Sequence, residues 1–222
     1  YTPQFQQNIS VTGGSEKIKY FFLLGQIKQE SMWKGGNQDY AKYNFRSNVT
    51  AKINEDFDIS VELGARTEDR NNLVQDSYLM ASWMQYQWPI FEPKTPDGKI
   101  SARNYGLSAY LDRELTGYVN NVRNSIQGTL ILNYKIPFVP GLSARLTTSR
   151  DLYFEDQKFW QKQYGLYTYD ASTKTSVQTG ARDVNQLVLS NWKTTATRIQ
   201  ASLNYKTTIA ENHNVTALLL YE

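Results

Sequence analysis

The chain has 222 residues, of which 40% are hydrophobic and 20% are charged, and its formal net charge is +3. This composition excludes an intrinsically disordered chain, and the absence of a basic run argues against a nucleic-acid partner. The chain has no cysteine, which excludes disulfides and thiol catalysis, and no run of 18 apolar residues that would predict a transmembrane helix.

Eight long strands are predicted along the chain. The pattern is clearest over residues 43–68, where apolar residues occupy one phase of an alternation and polar residues the other. Because side chains alternate faces along a strand, each strand has one apolar and one polar face. Strands of about 9–11 residues with this pattern are typical of transmembrane β-barrels. We place the strands at about residues 5–12, 17–29, 43–53, 57–68, 124–134, 142–154, 193–207 and from 213 onward.

The predicted connections alternate strictly between short and long. Short turns are predicted around Gly13, Asn54, Pro137 and Glu211, where Gly, Pro, Asn and Asp provide turn chemistry. The long connections are predicted at about 31–39 (including Gly35), 69–123 and 155–191. This alternation puts all long loops at one end of the strands, as in outer-membrane barrels.

The two longest connections have some predicted local structure. A short helix is predicted within 73–86, and Pro-rich turn chemistry ends it. Asp170-Ala171-Ser172 predicts a hairpin turn in the second long connection. The residues near helical spacing are Leu73, Val74, Tyr78, Ala81 and Met84.

The predicted fold is all-β, an antiparallel transmembrane β-barrel segment of about eight long strands with alternating short turns and long loops. A soluble β-sandwich that binds glycans through its loop aromatics is one alternative, because its strands also alternate. A complete small eight-stranded outer-membrane barrel is another. Both ends of the chain fall in strand-like sequence, so we expect a segment of a longer protein.

Several stretches, in order along nearly the whole chain, resemble one protein family. The stretches are NISVTGGSEKIKYFFLLGQIKQESMW, YAKYNFRSNVTAKINEDFDISVELGARTE, PIFEPKTPDGK and NYKTTIAENHNVTALLLYE. They are similar to the barrel of SusC/RagA-type TonB-linked outer-membrane transporters. Single pieces are weak signals, and the ordered set carries the resemblance.

The resemblance implies a 22-stranded barrel with a plug in its lumen, in the outer membrane of a Gram-negative bacterium. It implies TonB-driven import of oligosaccharides or peptides, with a SusD-type surface lipoprotein as a lid and outer-membrane lipid around the barrel. Residues 1–222 then correspond to the middle of the barrel, without the plug and the remaining strands. TonB would act through that plug, so no residue here is assigned to energy coupling.

The sequence predicts no catalytic residue, metal site or cofactor, and the protein is not expected to be an enzyme. His213 is the only histidine and stands at a strand start. The neighbouring carboxylates Glu68-Asp69 and Glu155-Asp156 point to opposite faces of a strand, which prevents a shared acid/base site. They are interpreted as solvated strand ends, and Asp97 as a turn residue rather than a calcium ligand.

Aromatic residues fall into two predicted groups. One group lies near strand ends on the apolar face, where an interfacial girdle would place Tyr20, Tyr43, Phe57, Tyr134 and Tyr205. The other lies in the long loops, where aromatics either contact substrate or lid or pack the loops together. These residues are Trp83, Tyr86, Trp88, Trp160, Tyr164, Tyr167 and Tyr169.

Charged residues recur on the predicted polar faces of the strands. In a barrel these faces point inward, so the charges would line the lumen or face the plug, and structural pairing with the plug is favoured over substrate contact. The residues are Arg46, Lys52, Glu62, Arg66, Arg145 and Arg198.

Overall fold

One antiparallel sheet of eight long strands makes up most of the structure. The computed structural model describes residues 2–33, 38–210 and 212–222, apart from the side chain of Asn104. The strands are β1 (Gln4–Gly14), β2 (Ile18–Gln29), β3 (Asp39–Lys52), β4 (Phe57–Asn72), β5 (Gly117–Lys135), β6 (Leu142–Gln161), β7 (Tyr164–Asp170), β8 (Thr175–Arg182), β9 (Gln186–Ile209) and β10 (His213–Tyr221).

The large sheet has the order β1-β2-β3-β4-β5-β6-β9-β10, and β7 and β8 form a separate hairpin. Every strand of the large sheet therefore pairs with its neighbour in chain order, once this inserted hairpin is set aside. The predicted all-β architecture of eight long antiparallel strands is confirmed. The sheet is open as described, with β1 and β10 as its edges.

The register brings the apolar residues of neighbouring strands onto one face. Residues directly opposite each other in an antiparallel pair point to the same side. We call this side the apolar face and the other side the polar face. Many large side chains of the apolar face are exposed, as for Leu24 and Leu219. One row across the apolar face, from β1 to β6, consists of Ile9, Leu24, Phe45, Ala65, Ile126 and Leu152.

The two longest connections are shorter than the sequence pattern predicts. They cover 73–116 instead of 69–123 and 162–185 instead of 155–191, because the flanking strands continue further. In these extensions both faces carry polar residues, so the alternation fades while the backbone pairing persists. Asn120 shows this: it pairs with Asn71, and its Nδ2 donates to Asp69 Oδ1 at 2.9 Å.

The short turns are closed by local hydrogen bonds. Asn54 Oδ1 accepts from the backbone N of Asp56 at 2.9 Å and of Phe57 at 2.8 Å, which holds the β3–β4 turn. Gly141 has a φ of 85°, a conformation that favours glycine, at the β5–β6 turn. The predicted turn residue Glu211 and the predicted loop residue Gly35 lie outside the described residues.

The buried hydrophobic cluster of the described residues lies in the connections and not on the sheet. A sandwich needs two sheets packed face to face, whereas the only other sheet in the described ranges is the hairpin of seven and eight residues. Within the same ranges, no helix has the length and apolarity that a membrane crossing requires.

Candidate functional site

The long connections all leave the sheet at one end. In an antiparallel sheet of this order, the β2–β3, β4–β5 and β6–β9 connections share one end, and the four short turns share the other. The β4–β5 connection contains the helix α1 (Ser77–Tyr86), two 3₁₀ turns (Ala102–Asn104 and Leu107–Leu111) and the one-turn helix α2 (Arg113–Thr116). We refer to residues 73–116 together with the β7–β8 hairpin as the loop unit.

Tyr110 is the centre of the loop unit. Its ring centroid lies 5.9 Å from that of Trp83 and 5.9 Å from that of Tyr164. Its hydroxyl donates to Asp183 Oδ2 at 2.8 Å and accepts from Arg182 Nε at 3.2 Å. These contacts join α1, the 3₁₀ region and the β7–β8 hairpin, which are remote in sequence.

Tyr164 is buried in the same cluster, with 3% of its surface exposed. Its hydroxyl donates to the carbonyl oxygen of Gly106 at 3.1 Å. Burial, followed by the neighbouring Tyr110, raises the pKa of Tyr164, because both disfavour the phenolate. This tyrosine therefore packs the loop unit as a neutral group.

A second link joins the two connections at Asp97. Its carboxylate accepts from the backbone N of Ser176 at 3.1 Å, from the Ser176 hydroxyl, and from Thr95 Oγ1 at 2.7 Å. The hydroxyl of Ser176, and then that of Thr95, lower the pKa of Asp97 because they stabilise the carboxylate. Asp97 is a turn residue, as expected. Its hydrogen bonds to Ser176 also hold the β7–β8 hairpin against residues 95–98, and we call this link the Asp97 clasp.

Helix α1 buries a different face from the one that the sequence spacing indicates. Asp76 caps the helix by accepting from the backbone N of Tyr78 at 2.8 Å. Met80 is buried and Trp83 packs against the cluster, while Tyr78 and Met84 are exposed. The predicted short helix is present, and its buried face follows from the packing of two insertions on the side of Met80 and Trp83, a contact that periodicity within one helix does not reveal.

Several large apolar side chains on α1 and just after it are exposed. Tyr86 is 80% exposed and Trp88 is 67% exposed. Tyr and Trp side chains are enriched among the residues that dominate binding at protein interfaces. We call this set the α1 ridge; its members are Tyr78, Leu79, Met84, Tyr86, Trp88 and Ile90.

The structure divides the seven predicted loop aromatics. Tyr86 and Trp88 are exposed, Tyr164 is buried, and Trp83, Trp160, Tyr167 and Tyr169 are half-buried. Trp160 lies on β6, within the extended strand, rather than in a loop. Tyr78 and Ile90 were missed by the sequence reasoning. An exposed apolar residue can be recognised only once the buried side of α1 is known.

All six charged residues predicted for the polar face lie on that face by register. Arg66 Nε lies 3.2 Å from Glu68 Oε1, and Arg198 Nε lies 2.8 Å from Glu222 Oε1. Contact with a lumen or a plug stays a prediction for Arg46, Lys52, Glu62, Arg66, Arg145 and Arg198.

Glu68 and Glu155 are not the solvated strand ends that the sequence suggested. Glu68 is only 9% exposed and contacts Arg66 and Arg70. Glu155 accepts from Asn121 Nδ2 at 2.7 Å, Arg123 Nη2 at 3.0 Å and the Tyr153 hydroxyl at 2.7 Å. The alternate spacing of Arg66, Glu68 and Arg70 on one strand face was an available signal.

Neither the models of known protein families nor the curated proteins contain a match to this sequence. Solved structures do match. The RagAB peptide importer in its closed-closed state gives a TM-score of 0.70 at 15% identity, over 99% of this chain and 24% of the importer chain. The fold is similar to part of an importer chain.

Two further solved structures have a similar fold. The RagAB peptide transporter gives a TM-score of 0.66 at 14% identity, over 99% of this chain and 24% of that chain. The importer in its open-open state gives 0.69 at 15% identity, over 98% and 23%. The chain thus spans about a quarter of the length of these proteins. At this identity the likeness concerns the fold alone.

Proposed function

We propose that this chain is the middle part of the barrel of an outer-membrane, TonB-dependent importer of large nutrients. The importer takes up oligosaccharides or peptides and works with a SusD-type surface lipoprotein. TonB acts through a plug region outside residues 1–222, and outer-membrane lipid covers the apolar face.

The observation that carries the proposal is the two-faced sheet. The apolar face extends across all eight strands with its large side chains exposed, and the opposite face carries paired charges. An apolar outside and a polar inside are what a membrane barrel requires. The open edges β1 and β10 require further strands, because unpaired backbone groups are costly in lipid.

The loop unit supports a capture role at one end of the barrel. It packs as a compact body through Tyr110, so the α1 ridge is held in a defined place rather than on a mobile loop. Exposed Tyr and Trp are frequent at sites that bind partners. The likeness to peptide importers favours peptides over oligosaccharides as the substrate.

Cysteine scanning of the full-length protein tests the barrel. Residues 1–222 have no cysteine, so a single cysteine introduced in this stretch is the only one there that a spin label can modify. Spin labels along 43–68 should alternate between lipid-accessible and water-accessible positions. A scan without alternation, or with the lipid-accessible phase at Thr50 and Glu62, contradicts the proposal.

The ridge is tested by the double substitution of Tyr86→Ser and Trp88→Ser. Uptake or co-purification of the lipoprotein should fall, while barrel assembly in the membrane should not change. Phe138→Ser is the matched control, because Phe138 is 82% exposed at the opposite end of the sheet. An equal effect of both variants, or no effect of either, removes the ridge from the capture role.

A further inference from the structure

The apolar face changes character toward the loop end of β5, β6 and β9. Cations there lie over aromatic rings: Lys193 Nζ is 5.4 Å from the centroid of Phe154, and Lys158 Nζ is 5.3 Å from that of Tyr118. Arg113 Cζ lies 4.2 Å from the same Tyr118 centroid. Rings and cations so placed attract each other, and the rings hold the charged groups close to the sheet.

A fourth cation, Arg150, lies on the same face of β6, further from the loop end. Its partners in the register are Gly128 and Thr197, so it has small neighbours on both sides, and it is exposed. Along a strand each residue rises about 3.3 Å, so Arg150 lies roughly 13 Å below the row of Phe154 and Lys193. We call these four cations the basic rim; its members are Arg113, Arg150, Lys158 and Lys193.

Within the part of the chain that the structure describes, the charges of the basic rim have no ion-pair partner. Among the described apolar-face residues of β6 and β9, the only carboxylate is Asp156, and its Oδ1 accepts from Asn191 Nδ2 at 2.5 Å. At the loop end of β3 and β4, the apolar face carries the acids Asp39 and Asp69. The excess positive charge on this face is therefore found on β5, β6 and β9.

On either side of Arg150 the same face is apolar. Leu152 pairs with Ile126, and Leu146 pairs with Leu132 and Ala201. Cations at the top of an exposed apolar wall, with Arg150 within the wall, match amphipathic molecules with an anionic head and hydrocarbon chains. Arginine and lysine both bind phosphate oxygens, and long cationic side chains reach from an apolar surface toward head groups.

We propose that the basic rim binds the phosphorylated head groups of membrane lipids whose acyl chains lie on the apolar wall of β5, β6 and β9. The inference rests on the proposed membrane location, because a lipid meets this face only there. Basic residues near a membrane surface gain about fivefold in affinity each for anionic lipid. Such a lipid would attach the loop end of the barrel firmly to one side of its bilayer.

The test uses the full-length protein in nanodiscs that contain phosphatidic acid and phosphatidylcholine with identical acyl chains. Lipids retained by the protein are counted by native mass spectrometry. The wild type should retain phosphatidic acid preferentially, and 1 M salt should weaken this preference because it screens the charges. The triple variant R150Q/K158Q/K193Q should lose roughly a hundredfold in apparent affinity.

The matched control is Arg198→Gln, which removes a cation from the polar face of β9. It should change the lipid preference less than twofold. Equal preference in the triple variant and the wild type overturns the inference, as does displacement of the lipid by inorganic phosphate at equal concentration. Failure of the wild type to insert into nanodiscs counts against the proposed function, whereas insertion without lipid preference counts against this inference alone.

Discussion

At the scale of the residue, the phase of each strand decides which substitutions are tolerated. Val49 lies on the apolar face and Thr50, its neighbour, on the polar face, where Thr50 Oγ1 and Ser60 Oγ are 2.9 Å apart. We expect Val49→Arg to cost roughly 2–4 kcal/mol of folding free energy in lipid when the position is near mid-membrane. Thr50→Arg should cost little, because its side chain lies on the polar face.

The unfolding free energies of the two variants are measured by refolding into lipid vesicles over a series of denaturant concentrations. In the spin-label experiment, Ile59, Leu63, Leu132 and Leu203 should also be lipid-accessible, whereas Arg46, Glu62 and Asn204 should be water-accessible. Similar costs for Val49→Arg and Thr50→Arg would refute the assignment of faces.

The polar network around Glu155 is a second prediction at this scale. Glu155→Gln removes a half-buried carboxylate that accepts three hydrogen bonds, one of them from Arg123, so the arginine loses its counter-charge. We expect a loss of about 1–3 kcal/mol in unfolding free energy. Asp156→Asn, one residue further and on the opposite face, is the control and should have a smaller effect. Equal effects would mean that the network adds no stability beyond a surface charge.

At the scale of the element, Asp97 should decide whether the two long connections stay together. Asp97→Ala removes the acceptor for Ser176 and Thr95, so residues 94–100 should become more sensitive to limited proteolysis. Asp170→Ala is the control, because Asp170 accepts from Ser172 within its own turn. Unchanged proteolysis of the Asp97 variant would mean that the aromatic cluster alone holds the loop unit.

The clasp also has a defined pH dependence. The pKa of Asp97 is lowered in the folded state, so its contribution is present above the ordinary aspartate pKa of 3.8 and is lost only as the pH falls through the lower folded value. The loop unit should therefore resist pepsin at pH 4 as it resists other proteases at pH 7. Opening of the clasp between pH 5 and 4 would contradict the lowered pKa.

The orientation of the loops is a further prediction about elements. Epitopes inserted at Lys99 and Lys174 should be reached by antibody on whole cells, while one at Glu55 should not, because the short turns lie at the opposite end. An epitope at Gly35, outside the described residues, should also be reached. Surface exposure of Glu55 would invert the orientation.

Deletion of the long connections tests whether they act in capture or only pack against one another. Deletion of both long connections from the full-length protein should leave the barrel assembled, because the loop unit contributes no strand to the large sheet. Uptake should fall, since capture and lid docking are assigned to this end. Normal uptake after both deletions would leave the loop aromatics with a packing role only.

At the scale of the whole molecule, the open edges and uncovered apolar face decide the behaviour of the isolated segment. Residues 1–222 expressed alone should not form a stable soluble monomer, because β1 and β10 present unpaired backbone groups and the exposed apolar face favours aggregation. Size-exclusion chromatography and thermal unfolding without detergent measure this. A monomer with a cooperative transition would favour a soluble domain.

Local pattern alone determined the eight strands, their phases, the alternation of short and long connections and the single face shared by the six charged residues. These follow from a period of two, which depends only on neighbouring residues. The tertiary structure decided which loop aromatics are buried, that Glu155 meets Arg123 and Tyr153, and where each strand ends. Tyr110 and Asp183 illustrate the reason: 73 residues separate them, and their hydrogen bond exists only because two insertions leave the same end of the sheet and pack together. Periodicity carries no information about such a meeting.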